Sequence, residues 1–172
     1  MSNLTFSIFD KVPIESLNQN EGYINLILDS YKKKDIEKRL DLFCLEKFIV
    51  EIKFNKFNKI DIKCLYKIFV KGKQKCVVTL EPVNFSIKEN FNMSFIDSNK
   101  VNVKKLDDEY LEPIMNNYIN FGEVAIQMLS LFLDPYPRSK KDNSILDNIN
   151  NNFGKKISNN NNAFEVLNKI KK

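Results

Sequence analysis

The side chains of this sequence that can do chemistry are amines, carboxylates and three thiols. Histidine is absent, which removes the usual general base near neutral pH and the commonest transition-metal ligand. A Ser or Cys nucleophile activated by His is therefore excluded. Neither GxGxxG nor GxxxxGK[ST] occurs, and the chain has only four Gly, so no glycine-rich phosphate cradle is expected. Asp107, Asp108, Glu109 and Glu112 have the chemistry for a hard cation, and a magnesium-dependent nuclease is the enzyme such a cluster would suggest. A solvated acidic loop is the favoured account, because no convergent site accompanies the cluster. The expectation is a protein that is not an enzyme, with no catalytic residues, cofactor or metal.

Cys44, Cys64 and Cys76 form no CxxC pair, so free thiols in a reducing compartment are expected. Lys73 and Lys75 stand close enough to Cys76 to lower its pKa and make it reactive. Its alternation with Val78 and Leu80 argues instead for a buried strand thiol, and that reading is preferred. Cys64 falls on the apolar side of its own strand. Cys44 carries no signal.

The lysines offer the better function. Lys63 and Lys67 share one side of a strand, Lys53 joins them from the neighbouring strand, and Lys71, Lys73 and Lys75 crowd the following turn. Such a patch neutralises phosphates with a salt-dependent affinity. Phe69 lies on the same side as Lys67. It either stacks on an unpaired base or is covered by a helix at 31–41. Arg138, Lys140 and Lys141 form a second, weaker cluster. Charge is unevenly spread: residues 31–75 hold 14 Lys/Arg against 6 Asp/Glu, residues 76–135 hold 4 against 9, and residues 136–172 hold 8 against 3. A basic stretch beside an acidic one points to an anionic partner. All but Arg39 and Arg138 of the 27 basic residues are Lys, and Asn and Ile are also abundant, so a composition-driven solvated surface is the competing account.

The elements that must position these groups follow from periodicity. Residues 5–9 read as an opening strand. Asp29 or Ser30 is placed to cap a short helix over 31–41, with Ile36, Leu40 and Phe43 on or just beyond a narrow apolar stripe. Residues 48–54, 60–70 and 83–95 alternate with period two, and Cys76, Val78 and Leu80 continue that period. Polar links at 55–59 and 71–75 predict antiparallel hairpins. Pro82, lacking a ladder N–H, marks a bend, bulge or edge. Residues 97–112 read as an acidic surface loop. Asn120 with Glu123 three residues on is a capping-box variant that opens an amphipathic helix over 121–133. Asp134 and Pro135 stop it. Residues 139–162 are polar and predicted disordered, with Phe164, Leu167 and Ile170 forming a short terminal helix or docking motif.

The fold class expected is α+β: a twisted antiparallel β-sheet covered by one or two amphipathic helices. Residues 1–138 form the domain and 139–172 a polar Asn/Lys-rich tail. No apolar run approaches the roughly 18–20 residues of a membrane span. MSNLTFSIFDKVPIESL lacks a basic start followed by an apolar stretch. The expected location is cytoplasmic, with no membrane partner.

Two segments are more specific than this. KCVVTLEPV (75–83), with Cys76, Leu80, Glu81 and Pro82, is followed by a strand carrying Glu89 and Phe91. Then come Glu112-Pro113-Ile114, YINFGE with Gly122 and Glu123, and LDPYPR with Asp134, Pro135, Tyr136 and Pro137. In that order they resemble the YceD family, the large ribosomal RNA subunit accumulation proteins, in their alphaproteobacterial-like form. The opening SIFDKVPIESL and the closing AFEVLNKIKK fit as well. The resemblance implies support of 23S ribosomal RNA accumulation or processing and of 50S assembly, by binding ribosomal RNA or a large-subunit precursor particle. The alternative is an adaptor that holds a ribosomal protein or assembly factor without touching RNA. Many relatives carry C-x-x-C-L-E-P-V and further cysteines after the late helix, a hint of metal. Here Thr79 stands in the second cysteine's place. Three scattered Cys without His cannot supply the four ligands of a structural zinc.

Overall fold

Alternating hydrophobicity over long stretches builds most of this protein. In the computed structural model, which describes residues 2–98 and 110–139, eight strands and two α-helices follow the order β1 (Ser2–Ser7), β2 (Val12–Pro13), a 3-10 turn (Ile14–Ser16), β3 (Glu21–Ile27), α1 (Lys33–Arg39), β4 (Leu42–Lys56), β5 (Ile62–Lys75), β6 (Pro82–Asp97), β7 (Tyr110–Ile114), β8 (Tyr118–Ile119) and α2 (Phe121–Phe132). The main sheet has the order β1-β3-β4-β5-β6-β7, and β2 pairs with β8 separately. This is an α+β fold, but its sheet is mixed. The central pairs β3–β4, β4–β5 and β5–β6 are antiparallel, whereas β1 runs parallel to β3 and β7 parallel to β6. The expectation of a purely antiparallel sheet is corrected at both edges. β3 was not anticipated, although its GYINLI alternation buries Gly22, Ile24 and Leu26.

One sheet face is apolar and covered. Ile24, Val50, Ile52, Phe54, Ile62, Cys64, Tyr66, Ile68, Phe91, Met93 and Phe95 are buried there with Phe121, Val124, Ala125, Met128 and Leu129 of α2. Burying a single Phe or Leu of this set stabilises by about 1.5–3 kcal/mol. Tyr66 stacks on Phe91 at 4.7 Å, Phe95 meets Phe121 edge-on at 5.3 Å, and the Tyr66 hydroxyl donates to the Phe121 carbonyl at 3.3 Å. Burial pushes the Tyr66 and Cys64 titrations upward. Asn120 caps α2 as the sequence predicts, its side chain accepting from the Glu123 N–H at 2.9 Å. Gly122 is required by packing: a Cβ there would stand 1.7 Å from the Ile8 carbonyl oxygen.

The helix α1 is shorter than 31–41 and has no side-chain cap; the Asp29 carbonyl, not its carboxylate, accepts the Lys32 and Lys33 N–H groups. Its stripe is indeed narrow, with Ile36 the buried residue. Phe43 belongs to β4 and is exposed, against expectation. Arg39 of α1 grips Glu123 of α2 through two bonds of 2.7 and 2.5 Å, so both helices lie on the same side of the sheet. This pair raises the Arg39 titration and holds Glu123 below the usual carboxylate range.

Two irregularities in β4, between Leu42 and Cys44 and between Leu45 and Lys47, bend the strand. They leave the Leu45 N–H to the Glu37 carboxylate at 2.8 Å. The turn joining β4 to β5 lies at 57–61, where Asn58 accepts from Ile60 and Asp61, two residues beyond the expected link. The second expected link, 71–75, is strand: β5 continues to Lys75, and the chain reverses at 76–81 instead. Residues 99–109, which include Asp107, Asp108 and Glu109, and the tail beyond Ser139 lie outside the described residues.

Candidate nucleic-acid interface

The face of the sheet opposite the helices is set by the other half of the same alternation. Across β4, β5 and β6 the register places Lys53 opposite Leu65 and Asn92, Glu51 opposite Lys67 and Asn90, Ile49 opposite Phe69 and Lys88, and Lys47 opposite Lys71 and Ser86. Lys63 and Lys73 extend the same side of β5 in both directions. Lys47, Lys53, Lys63, Lys67, Lys71 and Lys88 are exposed. Strand backbones satisfy their own polar groups in the ladder, so none of these side chains is needed to cap the backbone.

Phe69 sits at the centre of this field, partly exposed. The Lys47 ammonium lies 5.1 Å from its ring centroid and the Lys71 ammonium 5.3 Å, both within cation–π range. The helix α1 does not cover it. A groove of about 530 Å³ opens over it, lined by Ile49, Glu51, Lys67, Phe69, Lys88 and Asn90. At the 57–61 turn, Phe57 is exposed with Lys63 5.3 Å above its ring. A second groove of about 320 Å³ there is bordered by Lys53, Asn55, Phe57, Lys63, Leu65 and Asn92.

The six lysines picked out by sequence therefore divide. Lys53, Lys63, Lys67 and Lys71 share the open face. Lys73 comes within 3.8 Å of Glu46, and Lys75 is bonded to Asp41 at the end of α1. Lys47 and Lys88 join the face without having been anticipated. Both were legible in the alternation: Lys88 lies in that of β6, and Lys47 is in phase with Ile49, Glu51 and Lys53 of β4, just after its last irregularity. Arg138 is not on these strands.

Arg138 belongs instead to a junction formed by the two most specific sequence segments. Residues 76–81 are a loop, not the expected strand. The Leu80 N–H bonds the Cys76 carbonyl at 3.0 Å, the Cys76 N–H bonds the Glu81 carbonyl at 2.9 Å, and Leu80 closes the turn in the left-handed region at φ 59. Leu80 is consequently exposed, and Pro82 begins β6 opposite Lys75. The segment 134–139 clasps this loop. Val77 N–H donates to the Pro137 carbonyl at 2.9 Å, Gln74 Nε2 to the Asp134 carbonyl at 2.8 Å, and the Thr79 and Ser139 hydroxyls meet at 3.3 Å. The Asp134 carboxylate accepts from the Tyr136 N–H at 2.9 Å, shaping the turn around Pro135.

The Cys76 sulfur is the centre of the clasp. It accepts the N–H of Thr79 at 3.4 Å and that of Ser139 at 3.3 Å. Cys76 is buried, while Val77 and Val78 beside it in the loop are about half exposed. The Thr79 side chain draws its titration down to about 6 from an ordinary 9.0, with backbone N–H groups of Thr79, Ser139 and Val78 adding to this and burial opposing it. Lys73 and Lys75, the cause the sequence suggested, are not the origin of the shift.

Glu112, on β7, shares a cavity of about 220 Å³ with Glu123, Lys11, Asn116, Tyr118 and Asn120. Burial, and then the charge of Glu123, raise its titration. Glu123 is already engaged by Arg39. Among the described residues no three His, Cys, Asp or Glu side chains converge as a metal site would require, and no helix is long and apolar enough to cross a membrane. Comparison of the chain with protein families, with curated proteins and with solved structures finds no match.

Proposed function

We propose that this chain is a non-catalytic factor that binds ribosomal RNA or a large-subunit precursor particle through the lysine-bearing face of its sheet, and so supports large-subunit (23S) ribosomal RNA accumulation and 50S assembly. The observation that carries the RNA reading is the uncovered field of Lys47, Lys53, Lys63, Lys67, Lys71 and Lys88 around Phe69. Amines spread over three rigid strands suit phosphates, and an aromatic among them suits bases. The ribosomal assignment rests on the YceD resemblance. In the structure the two most specific segments of that resemblance, some 60 residues apart in sequence, meet through the Val77 N–H and the Pro137 carbonyl.

The test is RNA binding by the full chain over a series of salt concentrations, with Lys53, Lys67 and Lys71 replaced together by Glu. Affinity falls, and the slope of log affinity against log salt shrinks by about 2, from about 0.7 for each lost phosphate contact on a single strand. Unchanged affinity and slope would remove the RNA face from the proposal.

A second reading has its own observation. Val77, Val78, Leu80 and Tyr136 are exposed around the clasp, and apolar side chains in that density suit a protein partner. In this reading the chain is an adaptor for a ribosomal protein or assembly factor. Recovery of such a partner after nuclease treatment, lost in the double variant Leu80→Asp, Tyr136→Asp, would favour it.

A further inference from the structure

We infer that the open face takes single-stranded rather than duplex RNA, with unpaired bases seated at two stations, Phe69 on β5 and Phe57 in the turn that leads into it, and that the Phe69 station selects bases carrying an amino group. This rests on the RNA reading above and specifies its ligand.

The two stations are built alike. Each is an aromatic ring beside a groove open to solvent, with two lysine ammonium groups at 5.1 and 5.3 Å from Phe69 and one at 5.3 Å from Phe57. A base stacking on the ring displaces an ammonium, which moves to the adjoining phosphate. Lys63, next to Phe57, and Phe69 are six residues apart on β5, or about 20 Å at roughly 3.4 Å per residue. That separation suits a strand of a few nucleotides, within the range of sites of about 4–16 nucleotides on single-strand binders. Duplex RNA keeps its bases stacked on one another and presents only backbone and groove edges. It has nothing to offer a ring lying in a groove.

The groove over Phe69 is not a plain phosphate track, because Glu51 lines it together with Asn90. A carboxylate repels phosphate. It accepts hydrogen bonds, as from the amino group of cytosine, and the exocyclic amino groups of adenine and guanine offer the same donor. Uracil has no amino group. Asn90 contributes both a donor and an acceptor to the same base edge. Lys67 and Lys88 flank the groove where the backbone on either side of the seated base would pass.

The experiment measures binding of labelled eight-nucleotide oligo(A), oligo(C) and oligo(U), and of a hairpin duplex of equal charge, to the full chain and to Phe69→Leu, Phe57→Ala, Glu51→Gln and Lys67→Glu. Thermal unfolding of each variant confirms that it folds. The single strands are expected to bind at least about tenfold more tightly than the duplex. Phe69→Leu, which keeps an apolar side chain but no ring, loses about 5- to 150-fold, the range for one stacked base, with the salt slope intact. Lys67→Glu reduces the slope instead. Oligo(A) and oligo(C) outbind oligo(U), and Glu51→Gln narrows that gap. If duplex binds equally well, or if the Phe69 and Phe57 variants bind like wild type while Lys67→Glu weakens binding, the inference fails and the phosphate-binding face stands. If oligo(U) binds as well as oligo(A) and oligo(C), the amino-group selection fails. If the wild type binds no RNA, the proposed function fails with it.

Discussion

The open sheet face and the Cys76 clasp spend their polar groups in opposite ways. On the face, ladder hydrogen bonds satisfy the backbone, and the side chains of Lys53, Lys67, Phe69 and Lys88 share the side of the sheet away from the core. In the clasp the backbone follows no ladder. Its N–H groups at Thr79 and Ser139 are satisfied by a side chain, the Cys76 sulfur, and Gln74 serves the Asp134 carbonyl. Regular structure frees side chains for binding; irregular structure consumes them for stability. Substitutions on the face should therefore change affinity and leave unfolding alone, and those in the clasp should do the reverse.

The largest effect is expected where the two regions share a support. Gly72 lies on β5 beside the irregular start of β4. A Cβ there would stand 2.5 Å from the Cys44 carbonyl oxygen and 3.0 Å from the Phe85 ring. Backbone cannot yield as a side-chain tip can, so Gly72→Ala should destabilise by about 2–3 kcal/mol in urea unfolding. It should also weaken RNA binding, because β4 must shift away from β5 beneath Lys47 and Lys71. An alanine variant of wild-type stability would show the two regions to be mechanically separate.

The same two regions show what the sequence reveals. The face was largely legible, because a two-residue period sorts Lys63, Lys67 and Phe69 to one side whatever the fold around them. It failed where the period fails. In β4 the buried residues Leu42, Leu45 and Phe48 are three apart, since each irregularity inserts a residue, and the strand up to Glu46 carries no two-residue signature. The clasp misled for a related reason. Cys76, Val78 and Leu80 alternate and are flanked by β-branched residues, the pattern of a strand. What makes them a loop is Leu80 in the left-handed region, at a cost of about 1–2 kcal/mol, together with bonds to residues some 60 positions later. Neither is local. The opening strand was expected at 5–9 and lies at 2–7, but the parallel pairing of β1 was missed, and β7 was read as part of a loop, because pairing direction depends on crossovers that carry no periodic signature.

A smaller effect should separate the regions cleanly. Cys76→Ala leaves the Thr79 and Ser139 N–H groups without their acceptor, and the unfolding midpoint should drop by about 5 °C, with RNA affinity unchanged. The thiol also makes this contribution depend on pH. Its folded value, about 6, lies below the ordinary 9.0. The folded state therefore holds fewer protons than the unfolded state between those values. Stabilisation by Cys76 grows as pH rises from about 6 to 9, is complete above 9, and is lost as pH falls through 6. Thermal midpoints of wild type and Cys76→Ser should diverge over that window and run parallel outside it. Thiolate absorbance should titrate near 6. A midpoint difference constant from pH 6 to 9 would mean that the sulfur is held as a neutral thiol.

The smallest effect lies on the covered side, and it bounds what the contrast above owes to the helices. Arg39 and Glu123 tie α1 to α2 through two hydrogen bonds, yet both side chains are a third or more exposed. An ion pair so solvated contributes about 0.2–1 kcal/mol. Arg39→Met should cost about 0.5 kcal/mol near neutral pH, without altering RNA affinity or the Cys76 titration. The sign with pH is that of ordinary acid-induced loss. Glu123 titrates below its ordinary value, so the pair's contribution is complete above the unfolded carboxylate value of about 4.3 and fades as pH falls through the lower folded value. Wild type and Arg39→Met should therefore converge in stability at low pH. Glu112, in the same cavity but raised by burial and by Glu123, behaves in the reverse sense. Glu112→Gln should relieve an unfavourable charge once pH exceeds the ordinary carboxylate value. If Arg39→Met instead lowered RNA affinity, the helix layer would be setting the twist of the open face, and the division between binding and stabilising regions would extend through the sheet rather than along it.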